Sequence, residues 1–291
     1  MNKRLPEWLK LKKGKLGSTR NLVEKLDSHM PATICQEARC PNRSECFSKG
    51  LLTFMILGVT CTRNCSFCSV TFGAPKPPDL NELDDILYTI DKLNIKFVVL
   101  TSPNRDDLKD GGASHYHYIV TGIKKRFPNV KVEVLVPDFQ GNIDDLKVVI
   151  DSRPDVINHN METVPSLYST VRKGSLYQRS LDLLKSVSEI DSTILTKSGL
   201  MVGLGESHSE LITTIQDIKQ QGVDILTLGQ YLKPDQNSID VAEYYHPDTF
   251  KWFEQQALQM GFRFVFAGPY VRSSYLAEHI FEDNFKELCN V

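Results

Sequence analysis

From residue 51 onward the chain alternates short, continuous apolar runs with longer amphipathic stretches. The apolar runs lie near 51–58, 96–101, 131–136, 155–158, 198–203 and 224–229. Phe97-Val98-Val99-Leu100 and Val132-Glu133-Val134-Leu135-Val136 are typical. Such runs are rich in β-branched residues and seldom alternate with polar ones. They predict strands buried on both faces, as in a parallel sheet covered by helices. The amphipathic stretches near 80–93, 112–126, 142–151, 176–188, 208–221 and 247–260 predict the covering helices. Asp79, Asn142 and Ser207 stand where helix caps are needed. A last apolar run, Phe262 to Ala267, leads into Gly268-Pro269-Tyr270-Val271-Arg272-Ser273-Ser274-Tyr275.

Six strand–helix units fall short of the eight that close a barrel. The expected fold class is therefore α/β, an open, partial (β/α)6 TIM-like barrel over residues 51–260, with an N-terminal extension (1–50) and a C-terminal extension (261–291). The length of 291 residues and 41% apolar content suit one large core. A net charge of -2 gives no global reason to bind nucleic acid. No apolar run approaches the roughly 18–20 residues of a membrane span. The N-terminus is basic but has no apolar signal core. The simplest reading is a cytoplasmic bacterial protein with neither a nucleic-acid nor a membrane partner. Lys3, Arg4, Lys10, Lys12, Lys13, Lys15, Arg20 and Lys25 form a basic arm. It is either a solvated, partly helical face or an arm that docks an acidic partner or wraps the core.

Six of the seven cysteines fall between residues 35 and 68, and the seventh is Cys289. In a reducing compartment such clustering points to metal rather than disulfides. Cys61-Thr62-Arg63-Asn64-Cys65-Ser66-Phe67-Cys68 has the spacing C-x3-C-x2-C directly after the first apolar run. Three thiolates leave a four-iron cluster one ligand short, and an open iron can bind something else. Upstream, Cys35, Cys40 and Cys46 are spaced C-x4-C-x5-C in a stretch broken by Pro31, Pro41 and Asn42. Structural zinc usually takes C-x2-C pairs, so these gaps favour an iron–sulfur cluster over zinc. Barrels of this kind keep their chemistry at the C-terminal ends of the strands. The cysteine loop lies there. So do the loops at Thr101–Asp107, Asn158–Glu162 and Gly203–Glu206.

The first triad and its strand context resemble the radical S-adenosylmethionine superfamily. Gly199-Leu200-Met201-Val202-Gly203-Leu204-Gly205-Glu206 is similar to that superfamily's fifth-strand stretch, with Met201 in place of isoleucine. The second triad narrows the likeness. With Arg105-Asp106-Asp107-Leu108, Asp110-Gly111-Gly112-Ala113, Asn158-His159-Asn160-Met161-Glu162-Thr163-Val164 and Arg272-Ser273-Ser274-Tyr275, the chain closely resembles the lipoyl synthase family from Cys35 to Tyr275. Pro103-Asn104 departs from the family's usual Val-Asp, which implies a change in loop stiffness rather than lost function.

This resemblance implies two [4Fe-4S] clusters and S-adenosylmethionine. Cys61, Cys65 and Cys68 would hold the cluster that binds and cleaves S-adenosylmethionine into a radical. Cys35, Cys40, Cys46 and a serine would hold an auxiliary cluster that donates sulfur. The serine is Ser274, with Ser273 as runner-up; read without the family, both are ordinary turn or capping hydroxyls. The reaction implied is insertion of two sulfurs at C6 and C8 of a protein-bound octanoyl-lysine, giving lipoyl. Its partners would be octanoylated lipoyl carrier domains (a 2-oxoacid dehydrogenase E2 subunit or the glycine cleavage H protein), a low-potential electron donor such as ferredoxin or flavodoxin, and a cluster-rebuilding carrier.

Thr101, Ser102, Asn158, Glu162 and Glu206 are the expected S-adenosylmethionine contacts, against the alternative of loop structure or capping. Arg105 and Arg172 would either bind carboxylates near the site or pair with Asp106, Asp107 or Glu162. His159 reads as a hydrogen-bonded structural residue, residues His115 to Tyr118 as a helix start, and Cys289 as a free thiol. Two other readings stay open: a different radical sulfur-inserting enzyme, similar to biotin synthase, and a binding module stabilised by two zinc sites.

Overall fold

The computed structural model describes residues 5–10, 26, 30–274 and 280–281. Helices α1 (Ile34–Glu37) and α2 (Arg43–Ser48) precede β1 (Thr53–Met55). Strands β2 (Thr60–Cys61) and β3 (Thr71–Phe72) then form a small parallel pair around the cysteine loop. Helices and strands alternate after that: α3 (Glu82–Leu93), β4 (Phe97–Thr101), α4 (Ala113–Arg126), β5 (Lys131–Leu135), α5 (Ile143–Asp151), β6 (Val156–Asn158), α6 (Tyr168–Val171), α7 (Tyr177–Ile190), β7 (Leu195–Val202), α8 (His208–Gln220), β8 (Ile225–Gln230), α9 (Pro247–Gln259) and β9 (Phe264–Gly268).

The main sheet is parallel, in the order β1-β4-β5-β6-β7-β8-β9. It holds one strand more than the six expected. The run placed at the start of the C-terminal extension is β9, which pairs with β8 from Ile225↔Phe264 to Gly229↔Gly268. A mixed apolar and polar run read only as a lead into a polar turn hides such a strand. The sheet stays open, with β1 and β9 as its two edges.

Outward-facing Phe54, Val98, Leu100, Val132 and Val134 pack with Ile86, Ile90, Tyr116, Ile119 and Ile123 of α3 and α4. On the other half Leu200, Val202, Leu226 and Leu228 meet Leu211, Ile215, Phe250 and Phe253. Each such fully buried side chain contributes roughly 1.5–3 kcal/mol. Alternation turns the residues between them inward. Glu133 and Lys197 pair there at 2.9 Å, almost wholly buried, so each charge has a partner on the barrel floor.

Ser207 forms a capping box with Glu210, and Asn142 caps α5. Asp79 is not a cap. Its carboxylate accepts from the Asn81 backbone at 2.9 Å, and α3 begins after Asn81.

Of the basic arm, residues 5–10 lie against the core. Leu9 is buried, the Trp8 indole donates to the Tyr245 carbonyl at 3.2 Å, and the Tyr270 hydroxyl donates to the Leu9 carbonyl at 2.6 Å. Lys3, Arg4, Lys12, Lys13, Lys15, Arg20, Lys25, Tyr275 and Cys289 lie outside the described residues. Among the described residues no helix is long and apolar enough to cross a membrane.

Candidate active site

Cys61 ends β2, so the first thiol is set by the β2–β3 pair and Cys65 and Cys68 by the loop that follows. The Cys61 sulfur receives the backbone N–H groups of Arg63 at 3.4 Å and Asn104 at 3.3 Å; Cys68 receives that of Val70 at 3.4 Å. The loop is anchored by Arg63. Its guanidinium donates to Asp106 at 2.6 and 2.8 Å and to Asp138 at 2.7 and 3.0 Å. Burial works against the Arg63 charge, but the two carboxylates more than offset this and raise its pKa. Thr62 donates to the Asn104 carbonyl through both its N–H and its hydroxyl, at 3.0 Å each. The Pro103-Asn104 variation therefore sits in backbone that directly supports the thiol loop. Arg105 does not reach the cavity's carboxylates. It pairs with Asp107 at 2.9 Å and donates to the carbonyls of Leu57 and Lys76.

A cavity of about 340 Å³ opens at this end of the barrel. All three thiols of the first triad line it, as do Cys35, Cys40 and the turn from Val271 to Ser274. Cys46 is not among the lining residues but is close enough to feel Cys35 and Cys40. Burial, with Cys35 and Cys40 adding to it, pushes the Cys46 thiol up to about 12. Burial likewise pushes Cys65 up to about 11 and Cys68 up to about 12, and raises Cys35. Thiols held neutral this way become thiolates when a cationic group offsets their charge. Among the described residues no three His, Cys, Asp or Glu side chains are grouped to hold a single metal ion. Two sets of three soft thiols are a donor chemistry that suits iron–sulfur clusters.

Of the five expected S-adenosylmethionine contacts, the structure brings Thr101, Ser102 and Glu162 to the cavity wall. It does not bring Asn158 or Glu206 there. Asn158 is buried one layer down and donates to Glu133 at 3.1 Å. Glu206 folds back on its own turn, accepting from Gly203 N at 2.6 Å and Leu204 N at 2.9 Å.

Asn160 and Arg172 do face the cavity. Asn160 donates to Glu162 at 3.1 Å, while its carbonyl oxygen is buried beside Gly199 with no hydrogen-bond partner, as is that of Asn158. Asn160 shares the parity of Glu162, the signal that separates it from neighbouring His159. Glu162 adopts φ 67°, which a side chain rarely tolerates, and its backbone bridges to Leu200. Burial raises the Glu162 carboxyl, against the opposing pull of Arg172. Arg172 is held by the Tyr168 hydroxyl and Ser180, each at 2.8 Å, and by the His159 ring at 3.2 Å. Burial, helped by Arg172, lowers His159 to about 3. It is a neutral structural residue whose Nδ1 faces the Val136 carbonyl at 2.9 Å.

The serine-bearing turn reaches the cavity because residue 229 is glycine. A Cβ there would lie 2.1 Å from the Val271 carbonyl oxygen. Asn42, between Cys40 and Cys46, donates to the Tyr270 carbonyl at 2.7 Å and ties the upstream cysteine segment to that turn. Ser273 and Ser274 both line the cavity, and Ser274 also receives the Thr53 hydroxyl at 3.0 Å.

A family model described as the Radical SAM superfamily matches residues 55–218. The chain is 48% identical to a lipoyl synthase of Alkaliphilus metalliredigens, over 96% of this chain and 97% of that one. It is 49% identical to a lipoyl synthase of Caldanaerobacter subterraneus subsp. tengcongensis, with 96% and 97% covered. The one of Proteus mirabilis is 46% identical, with 94% and 86% covered. Among solved structures, methylornithine synthase superposes with TM-score 0.55 at 12% identity, over 88% of this chain and 79% of its own. SuiB of Streptococcus suis, bound to S-adenosylmethionine, gives 0.57 at 12%, over 80% and 54%. These two likenesses concern the fold.

Proposed function

The chain belongs to the lipoyl synthase family of the radical S-adenosylmethionine superfamily, and on that footing we propose how its two thiol triads and one cavity serve sulfur insertion at C6 and C8 of a protein-bound octanoyl-lysine. The observation that carries the reading is that ligands from both triads and from the serine turn line one cavity. A chemistry that makes a carbon reactive at one cluster and sulfurates it at another needs both within reach of one bound chain.

The target carbons are unactivated. A positioned acid or base typically supplies 10²–10⁴-fold, far short of what such C–H bonds require. Bound on Cys61, Cys65 and Cys68, a [4Fe-4S] cluster with S-adenosylmethionine supplies the one-electron chemistry, and a second cluster on Cys35, Cys40, Cys46 and Ser274 supplies the sulfur.

The chain's own residues bind, orient and exclude water. The N–H groups at Cys61 and Cys68 stabilise thiolate charge. Arg172 is the cation placed for a carboxylate, held from behind by Tyr168, Ser180 and His159. The Glu162 carboxylate and the unpartnered Asn160 oxygen are acceptors for ribose hydroxyls, with Thr101 and Ser102 beside them. Gly199 and Met201, on the inward face of β7, offer a wall suited to an adenine. Met55, Leu135 and Val136 line the same cavity and give an octanoyl chain a dry path. Ser274 contributes a hard oxygen to a soft-metal site, a poorly matched and therefore releasable ligand. In this assignment residues 1–50 carry the upstream triad, 51–260 the catalytic barrel and 261–291 the serine. The partners are an octanoylated carrier domain, of an E2 subunit or of the glycine cleavage H protein, a ferredoxin- or flavodoxin-like donor, and a carrier that rebuilds the second cluster.

The test is direct. Protein reconstituted without oxygen is mixed with S-adenosylmethionine, a low-potential reductant and an octanoylated carrier peptide, and added sulfur is read by mass spectrometry. Mono- and dithiolated peptide are expected. Deoxyadenosine without any thiolated product would reject the substrate assignment. About eight iron and eight sulfide per chain are expected; zinc without sulfide would reject both clusters. Ser274→Cys should retain a cluster and block sulfur transfer, and full activity in that variant would remove the labile-ligand role.

A further inference from the structure

We propose that Thr53 weakens the hold of the Ser274 oxygen on the second cluster by donating a hydrogen bond to it; this rests on Ser274 being a ligand of that cluster. Thr53 opens β1, is 5% exposed, and by alternation with outward-facing Phe54 turns into the barrel. Its hydroxyl donates to Ser274 Oγ at 3.0 Å, spanning 221 positions of sequence across the open seam between β1 and the exit of β9. The same threonine lies close enough to Cys35 that its backbone and hydroxyl both act on that thiol. One residue therefore touches two members of one ligand set.

A hydroxyl has a single proton and serves one acceptor at a time. In this structure that proton is directed at Ser274 Oγ, 3.0 Å away. An oxygen that accepts a hydrogen bond has less electron density to give a metal, so a donor in the outer shell tunes how tightly the ligand holds. The donor is also fixed in place. Thr53 pairs with Val99 in the sheet, and neighbouring Phe54 bridges to Thr33. The donor to Ser274 is thus held in place by the sheet rather than by the turn that carries the serine.

Thr53→Val keeps the shape and removes the proton; Thr53→Ser keeps the proton. Each full-length variant is loaded with iron and sulfide without oxygen and challenged with a ferrous chelator under reductant. Iron release is followed by absorbance, and iron environments by Mössbauer spectroscopy. Thr53→Val should slow release from the second cluster by ~2–10-fold, the factor that corresponds to a hydrogen bond of about 1 kcal/mol, and Thr53→Ser should match the unsubstituted protein. Equal rates in Thr53→Val and the unsubstituted protein would overturn the proposal, as would Thr53→Ser behaving like Thr53→Val. Loss of the second cluster in Thr53→Val alone would also overturn it, since the hydroxyl would then retain the cluster. Ser274→Ala separates the two levels. If that variant leaves iron content and release unchanged, Ser274 is not a ligand and both readings fall. If it alters release while Thr53→Val does not, only the role of Thr53 falls.

Discussion

Arg63, inside the cysteine loop, and Asp138, beyond the end of β5, meet at 2.7 Å with side chains 6% and 0% exposed. The same guanidinium holds Asp106 beyond β4, so one side chain bolts the thiol loop to two strand ends. Breaking a buried pair from one side costs about 3–5 kcal/mol, because the remaining charge stays buried without its partner. Arg63→Gln should therefore destabilise the chain by about that amount in denaturant unfolding, although Arg179 remains 3.4 Å from Asp138. Iron per chain after reconstitution should fall from about eight toward about four, since the upstream triad is untouched. Retention of both clusters at full stability would show that the loop is held by its backbone bonds alone.

Stability should fall with pH earlier than carboxylate titration alone predicts. Burial, with Arg172 adding to it, holds folded-state His159 at about 3, against an ordinary value of 6.5. Below pH 6.5 the unfolded chain takes up a proton that the folded chain refuses. The stability is complete above pH 6.5 and is lost as pH falls toward 3, with a slope approaching about 1.4 kcal/mol per pH unit. Asp138 adds a second loss. Its burial is outweighed by Arg63, which holds it at about 2, below the ordinary 3.8, so this contribution fades as pH falls through that lower window. Unfolding of the metal-free chain at several pH values checks both. His159→Gln should flatten the first window and leave the second.

Much of the barrel was legible because its strands and helices differ in period. The expected run at 131–136 is β5, and that at 247–260 is α9. What periodicity could not reach was depth. Asn158 and Asn160 have the same parity and lie two residues apart, yet one is on the barrel floor with Glu133 and the other at the cavity wall. Glu206 reads as a rim carboxylate, but two backbone N–H groups within reach turn it inward. The clamp from Arg63 to Asp138 joins positions 75 apart, and no local pattern announces it.

The split between Glu162 and Glu206 can be measured. Glu162→Gln and Arg172→Met should each weaken S-adenosylmethionine binding by ~10–100-fold, consistent with about 1.5–3 kcal/mol for hydrogen bonds to charged groups, and Asn160→Ala by ~2–10-fold, as for a neutral one. Glu206→Ala should leave that affinity unchanged and instead cost about 1–3 kcal/mol of stability, because the Gly203 and Leu204 N–H groups lose their acceptor. Calorimetric titration and denaturant unfolding of the same four variants would reveal any exchange of roles.

Gly229→Ala isolates the serine turn from everything else in the site. Residue 229 lies in β8 and pairs with Met201 and Gly268, so its backbone is ordinary strand that alanine adopts readily. What alanine cannot do is share space with the Val271 carbonyl, 2.1 Å from the new Cβ, or with its carbon at 3.1 Å. Both are backbone atoms, so the turn itself must move. The first triad hangs on Arg63, Asn104 and Val70 and makes no such contact. The first cluster and deoxyadenosine formation should therefore persist, while the second cluster and thiolated product are lost. Iron content and Mössbauer spectra read the first pair against the second. A variant with both clusters and normal sulfur transfer would mean that the turn has another route to the cavity, and that Ser274 is held by Thr53 and Asn42 rather than by the close approach at Gly229.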